Sequence, residues 1–232
     1  FEEKTTGITL GGPLIKDKLF VFLSAENSSS SKASPEFGPL GSSITNAGVT
    51  PSSIASLQSI AQSRYGIDVG SSDTPTGLEQ KVADRLAKID WNINDNHRAS
   101  FRWQKTKQTE PQFSGYSANG IALSSYLWTE QKNIESSVAQ LFSDWTPSLS
   151  TEVKLSRRDS GKGNANNADL RSMAVSFGGP LPAGTPASVR TGNRFINFGT
   201  EASRQFNELD TTTWDAYAGA TWLRGDHEVK GG

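Results

Sequence analysis

Cysteine is absent from the 232 residues, and methionine and histidine occur only once and twice. The first absence excludes a disulfide framework and thiolate chemistry, and it leaves the compartment open. Long apolar runs are missing too: no window approaches the ~18 consecutive apolar residues that a membrane-crossing helix needs. Only 34% of the residues are hydrophobic and the mean hydropathy is -0.50, little for a soluble core of this length. No charge of one sign dominates either. The 23 basic and 24 acidic residues nearly cancel, so neither nucleic acid nor another polyanion is an expected partner. A membrane β-barrel passes all of these tests, because each of its strands is apolar only at every second position. The opening residues FEEKTTGITL have no basic n-region and no apolar h-region, so they do not read as a signal peptide. The closing DHEVKGG stops inside an alternating pattern, which reads as a piece of something longer.

Glycine, serine, threonine and asparagine are abundant, and period-two alternation recurs in segments of about ten residues between turn clusters. Four hairpins are predicted. The first runs from Thr5 to Leu14 and from Lys18 to Glu26, around a turn centred on Asp17. The second turns at Asn94, Asp95 and Asn96, types that tolerate left-handed backbone. Ala87, Ile89, Trp91 and Ile93 share one face of its rising strand with Ala99, Phe101 and Trp103 across the turn; the other face carries Lys88, Asp90, Asn92, Arg98, Ser100, Arg102 and Gln104. The third turns in TPSLS, where Pro147 removes a ladder donor, and the fourth turns at Arg224, Gly225 and Asp226. In the fourth, Trp214, Ala216, Ala218, Ala220 and Trp222 make an apolar face with tryptophan at both ends. Their spacing is about 25 Å along the strand, near the height of an outer-membrane apolar band.

Connections within hairpins are short, whereas residues 27–77, 110–127 and 159–204 form long polar connections on one side. That asymmetry favours a membrane barrel with short periplasmic turns and long extracellular loops over a soluble sandwich with one wet face. A short helix is expected in the first long loop: Thr50 caps it, Pro51 suits its first turn, and Ile54, Leu57, Ile60 and Ala61 share a stripe.

Three stretches then resemble TonB-dependent outer-membrane receptors, in particular the Oar-like group. GITLGGPLIKDKLFVFLSAE is similar to the first barrel hairpin of that family through Gly11, Gly12, Pro13, Lys16, Asp17, Lys18, Phe20, Phe22 and Glu26. KIDWNINDNHRASFRW resembles its Arg/Lys-x-Asp strand, Asn/Asp turn and Arg-bearing strand, and GDHEVKGG resembles the start of a later strand. The resemblance implies an outer-membrane transporter of Gram-negative bacteria, with a plug inside a barrel, energised through TonB. On this reading residues 1–232 are a partial barrel, an antiparallel transmembrane segment of about eight strands, with the plug and the remaining strands absent. Its partners would be outer-membrane lipid, the TonB complex through the missing plug, and a small solute such as a siderophore, oligosaccharide or peptide. The alternative is a small complete outer-membrane barrel with a structural or adhesive role.

Candidate chemistry is sparse, and the chain does not read as an enzyme. His97 and His227 sit at short turns rather than in a cleft beside an orienting carboxylate. Gly161, Lys162 and Gly163 lack the spacing of a phosphate loop, so this stretch reads as a flexible extracellular loop. Asn164, Asn166 and Asp169 lack the pattern of a Ca²⁺ loop, and no metal or cofactor is expected. Lys88, Asp90, Arg98, Arg102, Lys154 and Arg158 are expected to face the lumen, against a plug or along a solute's route. Tyr116, Tyr126 and Trp128 are ligand candidates from the second loop, with Trp128 equally suited to an aromatic girdle. In the first hairpin Leu19, Val21 and Leu23 alternate with Phe20 and Phe22; both sets are apolar, so alternation does not choose which meets lipid.

Overall fold

The computed structural model describes residues 2–185 and 192–232. In chain order its strands are β1 (Glu3–Ile15), β2 (Leu19–Ser31), β3 (Phe37–Gly38), β4 (Thr45–Asn46), β5 (Glu79–Asn94), β6 (His97–Gln112), β7 (Gly120–Ala122), β8 (Trp128–Thr146), β9 (Leu149–Asn166), β10 (Met173–Phe177), β11 (Arg194–Phe198), β12 (Leu209–Arg224) and β13 (His227–Gly231), with one α-helix, α1 (Pro51–Tyr65). Eight of these strands form one antiparallel sheet in the order β1-β2-β5-β6-β8-β9-β12-β13. The four expected hairpins are all present, and each strand pairs with its neighbour in sequence around the sheet. The sheet is open: β1 and β13 are its two edges.

Short turns at one end of the sheet follow from their residues. Asp17 carries a left-handed φ of 60° at the first turn, and the Asn94 side chain accepts from the backbone N–H groups of Asn96 and His97 at 2.9 Å. Neighbouring turns are tied together. Asn92 N–H donates to Lys18 O, Asp144 N–H to Asn96 O and Leu223 N–H to Ser148 O. Each hairpin reaches further down the ladder than the one before it. Leu19 faces Trp91, but β5 continues to Asn94; His97 faces Ser143, but β8 continues to Thr146; Leu149 faces Trp222, but β12 continues to Arg224. The stagger is roughly one residue per strand, which tilts the strands by ~35–40°, the inclination of a barrel wall.

Register decides which side chains share a face. Leu10, Leu23, Ala87, Trp103, Ser137, Arg157 and Trp214 form one row across seven strands. Two residues nearer the turns lies the row Gly12, Val21, Ile89, Phe101, Ala139, Leu155 and Ala216. This is the apolar face, and it resolves the ambiguity of the first hairpin: Leu19, Val21 and Leu23 belong to it, whereas Phe20 and Phe22 lie on the charged face opposite Asp90 and Lys88. Gly11 explains how Phe22 fits there. It pairs with Phe22, and a Cβ on it would come within 3.1 Å of the ring.

Tryptophans bound the apolar face. Trp103 and Trp214 mark its upper edge, and Trp91, Trp145 and Trp222 lie close to the short turns. Trp214 is 62% exposed, with the Arg157 guanidinium 5.5 Å from its ring centroid. Above Trp103 the same face turns charged: Glu135 accepts from Trp103 Nε1 at 2.9 Å and from Lys105, and Arg157 pairs with Asp159. From Trp214 to Trp222, along a tilted strand, the band spans on the order of 20–25 Å of height, enough for an outer-membrane hydrocarbon layer. No helix is long and apolar enough to cross a membrane among the described residues.

Leu155→Arg, in the middle of the apolar face, is expected to destabilise the folded barrel by about 2–4 kcal/mol. Ser156→Arg, one residue on and on the opposite face, is expected to cost less than about 1 kcal/mol. Equilibrium urea unfolding of both variants in lipid vesicles checks the difference.

Candidate functional site

The large sheet has no packed interior of its own; the core lies in the long loops. Ala47, Val49, Ile54, Ala61, Val69, Ile121, Leu123, Ile196 and Phe198 form it, with Phe37, Leu57, Ile67, Tyr116, Met173 and Phe177 packed against it. These residues come from 32–78, 113–127 and 167–208, the connections at the end of the sheet opposite the short turns. The strands run further than expected into each connection. The loops therefore fold together into a cap.

The helix α1 forms where expected. Thr50 Oγ1 accepts from Ser53 N–H at 3.2 Å, Pro51 opens the first turn, and Gly66 closes the helix at a φ of 66°. Ile54 and Ala61 are buried and Leu57 half-buried, while Ile60 remains 50% exposed. A three-stranded sheet of order β10-β11-β7 joins the second and third loops, with β11 parallel to β7. Nothing local in the sequence marks that pairing. Ser125 links all three loops: its hydroxyl donates to Val69 O at 2.6 Å and accepts from Gly199 N–H at 2.9 Å. Asn197 Nδ2 donates to Gly115 O and Ile121 O, both at 3.1 Å.

Two of the three aromatic ligand candidates are packed into this cap. Trp128 is 8% exposed, with the Arg204 guanidinium stacked 5.3 Å from its ring centroid. It opens β8 beneath the cap and stands apart from the two tryptophan edges of the apolar face. Tyr116 lies against the cap core, and burial pushes its hydroxyl pKa up to about 12. Tyr126 ends a 3-10 turn beside them and is only half-buried.

All six expected lumen residues share the charged face of the large sheet. Lys88 is opposite Arg102, and its ammonium is 2.8 Å from the Asp90 carboxylate two residues on. Arg98 stacks 4.8 Å from the Phe142 ring centroid, which is opposite Glu152 on the next strand. Lys154 lies between Gln140 and Tyr217, and Arg158 between Ser136 and Thr213. Among the described residues Arg102, Lys154 and Arg158 have no ion-pair partner. Glu152, Asp215 and Tyr217 join the same face; alternation alone carried the signal for them.

Sequence reasoning missed the rim between this face and the cap. Glu110 is directly opposite Glu130, an arrangement that repels unless it is neutralised. Lys32 pairs with Glu110, while Lys132 and Lys162 reach Glu130 at 2.7 and 2.6 Å. The rim lies above the charged upper edge of the lipid-facing band, outside the membrane-spanning segments. The hydrogen bond from Lys32 lowers the Glu110 pKa below the ordinary carboxylate value. Burial pushes the other way at Glu130, but the ammoniums of Lys132 and Lys162 outweigh it and lower that pKa as well. Lys162 is thus in a paired strand: β9 runs to Asn166, which corrects the expected flexible loop at 161–163. A Cβ at Gly161 would meet the Asp210 carboxylate at 2.8 Å, so glycine here admits a neighbour instead of breaking the strand. No group of three or more His, Asp and Glu gathers at metal-binding distance among the described residues.

A lipid-facing belt, tilted strands and a loop cap together describe an outer-membrane wall. The family model for an outer membrane beta barrel domain matches residues 36–232, more than half of the chain. The chain belongs to this family. Its place is the Gram-negative outer membrane, with the apolar belt against lipid. The second and third of the three resembling stretches fall inside the matched range, and the Gly-Gly-Pro hairpin precedes it. No curated protein and no solved structure matches this chain.

Ser125→Ala is expected to loosen the cap by about 1–3 kcal/mol, because Gly199 N–H is left buried without a partner. Limited proteolysis should then cut within 167–208 sooner, with the melting of the large sheet unchanged. Acid should loosen the rim as well. Both glutamate pKa values lie below 4.5 in the folded state, so their contribution is complete above about pH 4.5 and is lost as pH falls through the folded values. The near-ultraviolet dichroism of the cap, followed from pH 7 to pH 3, should change in that window, and Lys132→Gln should move the change to higher pH.

Proposed function

We propose that this chain is part of the barrel of a TonB-dependent outer-membrane transporter, which binds a small solute at the cap and passes it along the charged face. The reading rests on the three resembling stretches in their order along the chain. The observation that carries it furthest is the charged face itself: Arg102, Lys154 and Arg158 lie there without ion-pair partners among the described residues. A closed barrel of about eight strands has an interior just wide enough for side chains to fill, and unpaired charges there would be costly. A wider lumen holding water and a plug gives them hydration and partners. The open edges at β1 and β13 are, on this reading, where further barrel strands add.

In the mechanism, solute contacts come from the exposed surface of the cap, with Tyr126, half-buried and outside the cap core, the candidate among the three aromatics. Tyr116 and Trp128 hold the loops beneath it. TonB, pulling on the plug, opens the route past Lys88, Asp90, Arg98, Arg102, Lys154 and Arg158. Bonds are neither made nor broken, and no cofactor is needed. The solute is a siderophore, an oligosaccharide or a peptide.

Two measurements test this. The intact mass of the detergent-extracted polypeptide is expected to be several times 25.0 kDa; a mass near 25.0 kDa would favour a small complete barrel with a structural or adhesive role. Accumulation of a labelled panel of siderophores, oligosaccharides and peptides by cells expressing the protein should show at least one solute whose uptake stops when the proton gradient is collapsed. Uptake that survives collapse would overturn the energised mechanism.

A further inference from the structure

The small sheet of the cap ends on an edge with which no described strand pairs. In its order β10-β11-β7, β11 is the middle strand and β10 an outer one. Burial falls off across one row of that sheet. Ile121 on β7 is 0% exposed and Ile196 on β11 is 1% exposed, whereas Val175, facing Ile196 from β10, is 38% exposed. Met173 and Phe177, two residues to either side, pack against the cap core, so β10 lies on that core with one flank open. The approach to the strand is fixed. Thr200 N–H donates to Leu170 O at 3.3 Å, and Leu170 N–H donates to Thr200 Oγ1 at 3.2 Å.

Register decides which backbone groups the open edge presents. Phe195 N–H donates to Asn119 O at 2.9 Å, and Asn197 O accepts from Leu123 N–H at 2.8 Å, so residues 195 and 197 turn their groups toward β7. Backbone groups alternate sides along a strand, and those of Arg194, Ile196 and Phe198 therefore turn to β10, where they meet Phe177, Val175 and Met173. Left on the open edge are the N–H and C=O groups of Ala174 and Ser176. Both residues are exposed, and neither bonds to another segment among the described residues. The strand reads MAVSF, with no proline, glycine or charge to blunt it. An edge of this kind is a template for an added strand.

Charge along this stretch of chain has one sign. From Leu170 to Thr200 there are three arginines and no aspartate, glutamate or lysine. Arg171 is exposed two residues before β10, and Arg194 faces Phe177 at its other end. Arg194 is 3% exposed, yet its guanidinium has only the Phe177 ring at 5.3 Å and two long bonds, to Pro180 O at 3.4 Å and Gly179 O at 3.3 Å. Its Nε has no partner, and no carboxylate pairs with either arginine among the described residues. A buried cation without a counter-charge is costly, and an incoming carboxylate relieves that cost. We propose that the free edge of β10 receives an extended peptide as an added strand, with acidic groups toward Arg171 and Arg194. Backbone pairing at Ala174 and Ser176 holds it, an apolar side chain covers Val175, and about five residues span the ~17 Å of the edge. An oligosaccharide offers no ladder of alternating amide N–H and C=O groups to these two residues. The inference names the solute class of the cap; it rests on the cap as the receiving surface and not on energised passage.

The test uses the full-length protein in mild detergent, with pools of pentapeptides varied at the second and fourth positions as probes and native mass spectrometry as the readout. One pool has glutamate at both ends and threonine at the centre; a second has lysine at both ends; a third keeps the glutamates but has proline at the centre. The first pool is expected to be retained roughly 10-fold better than either of the others. Ser176→Pro removes an edge donor that the ladder to β11 does not use, and it should lower retention of the first pool roughly 10-fold as well. Limited proteolysis within 167–208 verifies that the cap of this variant is folded, and the central-proline pool tests the same pairing on the unaltered protein. Arg171→Gln should weaken the glutamate pool about threefold and leave a glutamine-ended pool unchanged. Equal retention of the threonine and proline pools would overturn the proposal. So would retention of oligogalacturonate, unaltered by Ser176→Pro, where the glutamate pool is not retained. A dimer that Ser176→Pro dissociates would assign the edge to a second copy and overturn it too. Peptide retention without gradient-dependent uptake would keep this site and remove the energised reading, whereas energised uptake of another solute with no peptide retained would do the reverse.

Discussion

Within hydrocarbon a backbone N–H or carbonyl has no water to turn to, and that constraint organises this molecule. Each unpaired group would cost several kcal/mol, so every strand that crosses must be paired along its crossing length on both sides. The ladders answer that requirement on both sides for β2, β5, β6, β8 and β9, while β1, β13 and β12 before Ala220 are paired on one side. The apolar face then needs only lipid as its partner. An exposed Ile8, Leu10, Trp91 or Leu155, which would be a defect in a water-soluble domain, is here a side chain in its proper solvent.

Because lipid covers that face, the described residues bury apolar side chains against one another in the cap. All nine core residues come from three loops, and the strongest links between them are side chains that satisfy backbone groups in water-poor surroundings: Ser125 between Val69 and Gly199, and Asn197 between Gly115 and Ile121. The rim couples the cap to the wall. Glu110 and Glu130 could not face each other without the three lysines around them, and Lys32 reaches Glu110 from the first residue of the first long loop. Lys32 therefore ties the first long loop to the charge balance at the tops of β6, β8 and β9.

The parts legible in the sequence are those encoded within one or two turns of chain. Period-two alternation gave the four hairpins and both faces of β5 and β6, and Thr50 with Pro51 gave the helix, because each signal sits beside the element it specifies. That Lys88, Asp90, Arg98, Arg102, Lys154 and Arg158 share one face was legible for the same reason. Three things were not. The Phe20 and Phe22 face needed the register with Asp90 and Lys88 on β5. The stretch at 161–163 looked like a loop because glycine disfavours strands, yet β8 and β12 flank it on both sides and supply the pairing that its own propensity lacks. The parallel match of Gly120–Ala122 with 195–197 joins segments far apart in sequence, so no local pattern announces it. For that reason the sequence left Tyr116 and Trp128 as ligand candidates of the second loop without showing that Tyr116 packs against the cap core and that Trp128 is buried beneath it.

Charge placement separates the two faces more sharply than hydrophobicity does. On the inner face the charges run the whole length of the wall, from Lys88 and Asp90 near the turns to Glu130 and Lys162 at the rim. On the outer face they are excluded from the tryptophan-bounded band and return at its edges, above it at Arg85, Lys105, Glu135, Arg157 and Asp159 and beside the short turns at Arg224. An ion at the middle of the outer face would lose its hydration with no partner to replace it, whereas the inner face permits both water and a counter-charge. The same free-energy cost that removes charge from the lipid band makes a cation at its upper edge effective: it stands where anionic headgroups begin, in surroundings less polar than bulk water.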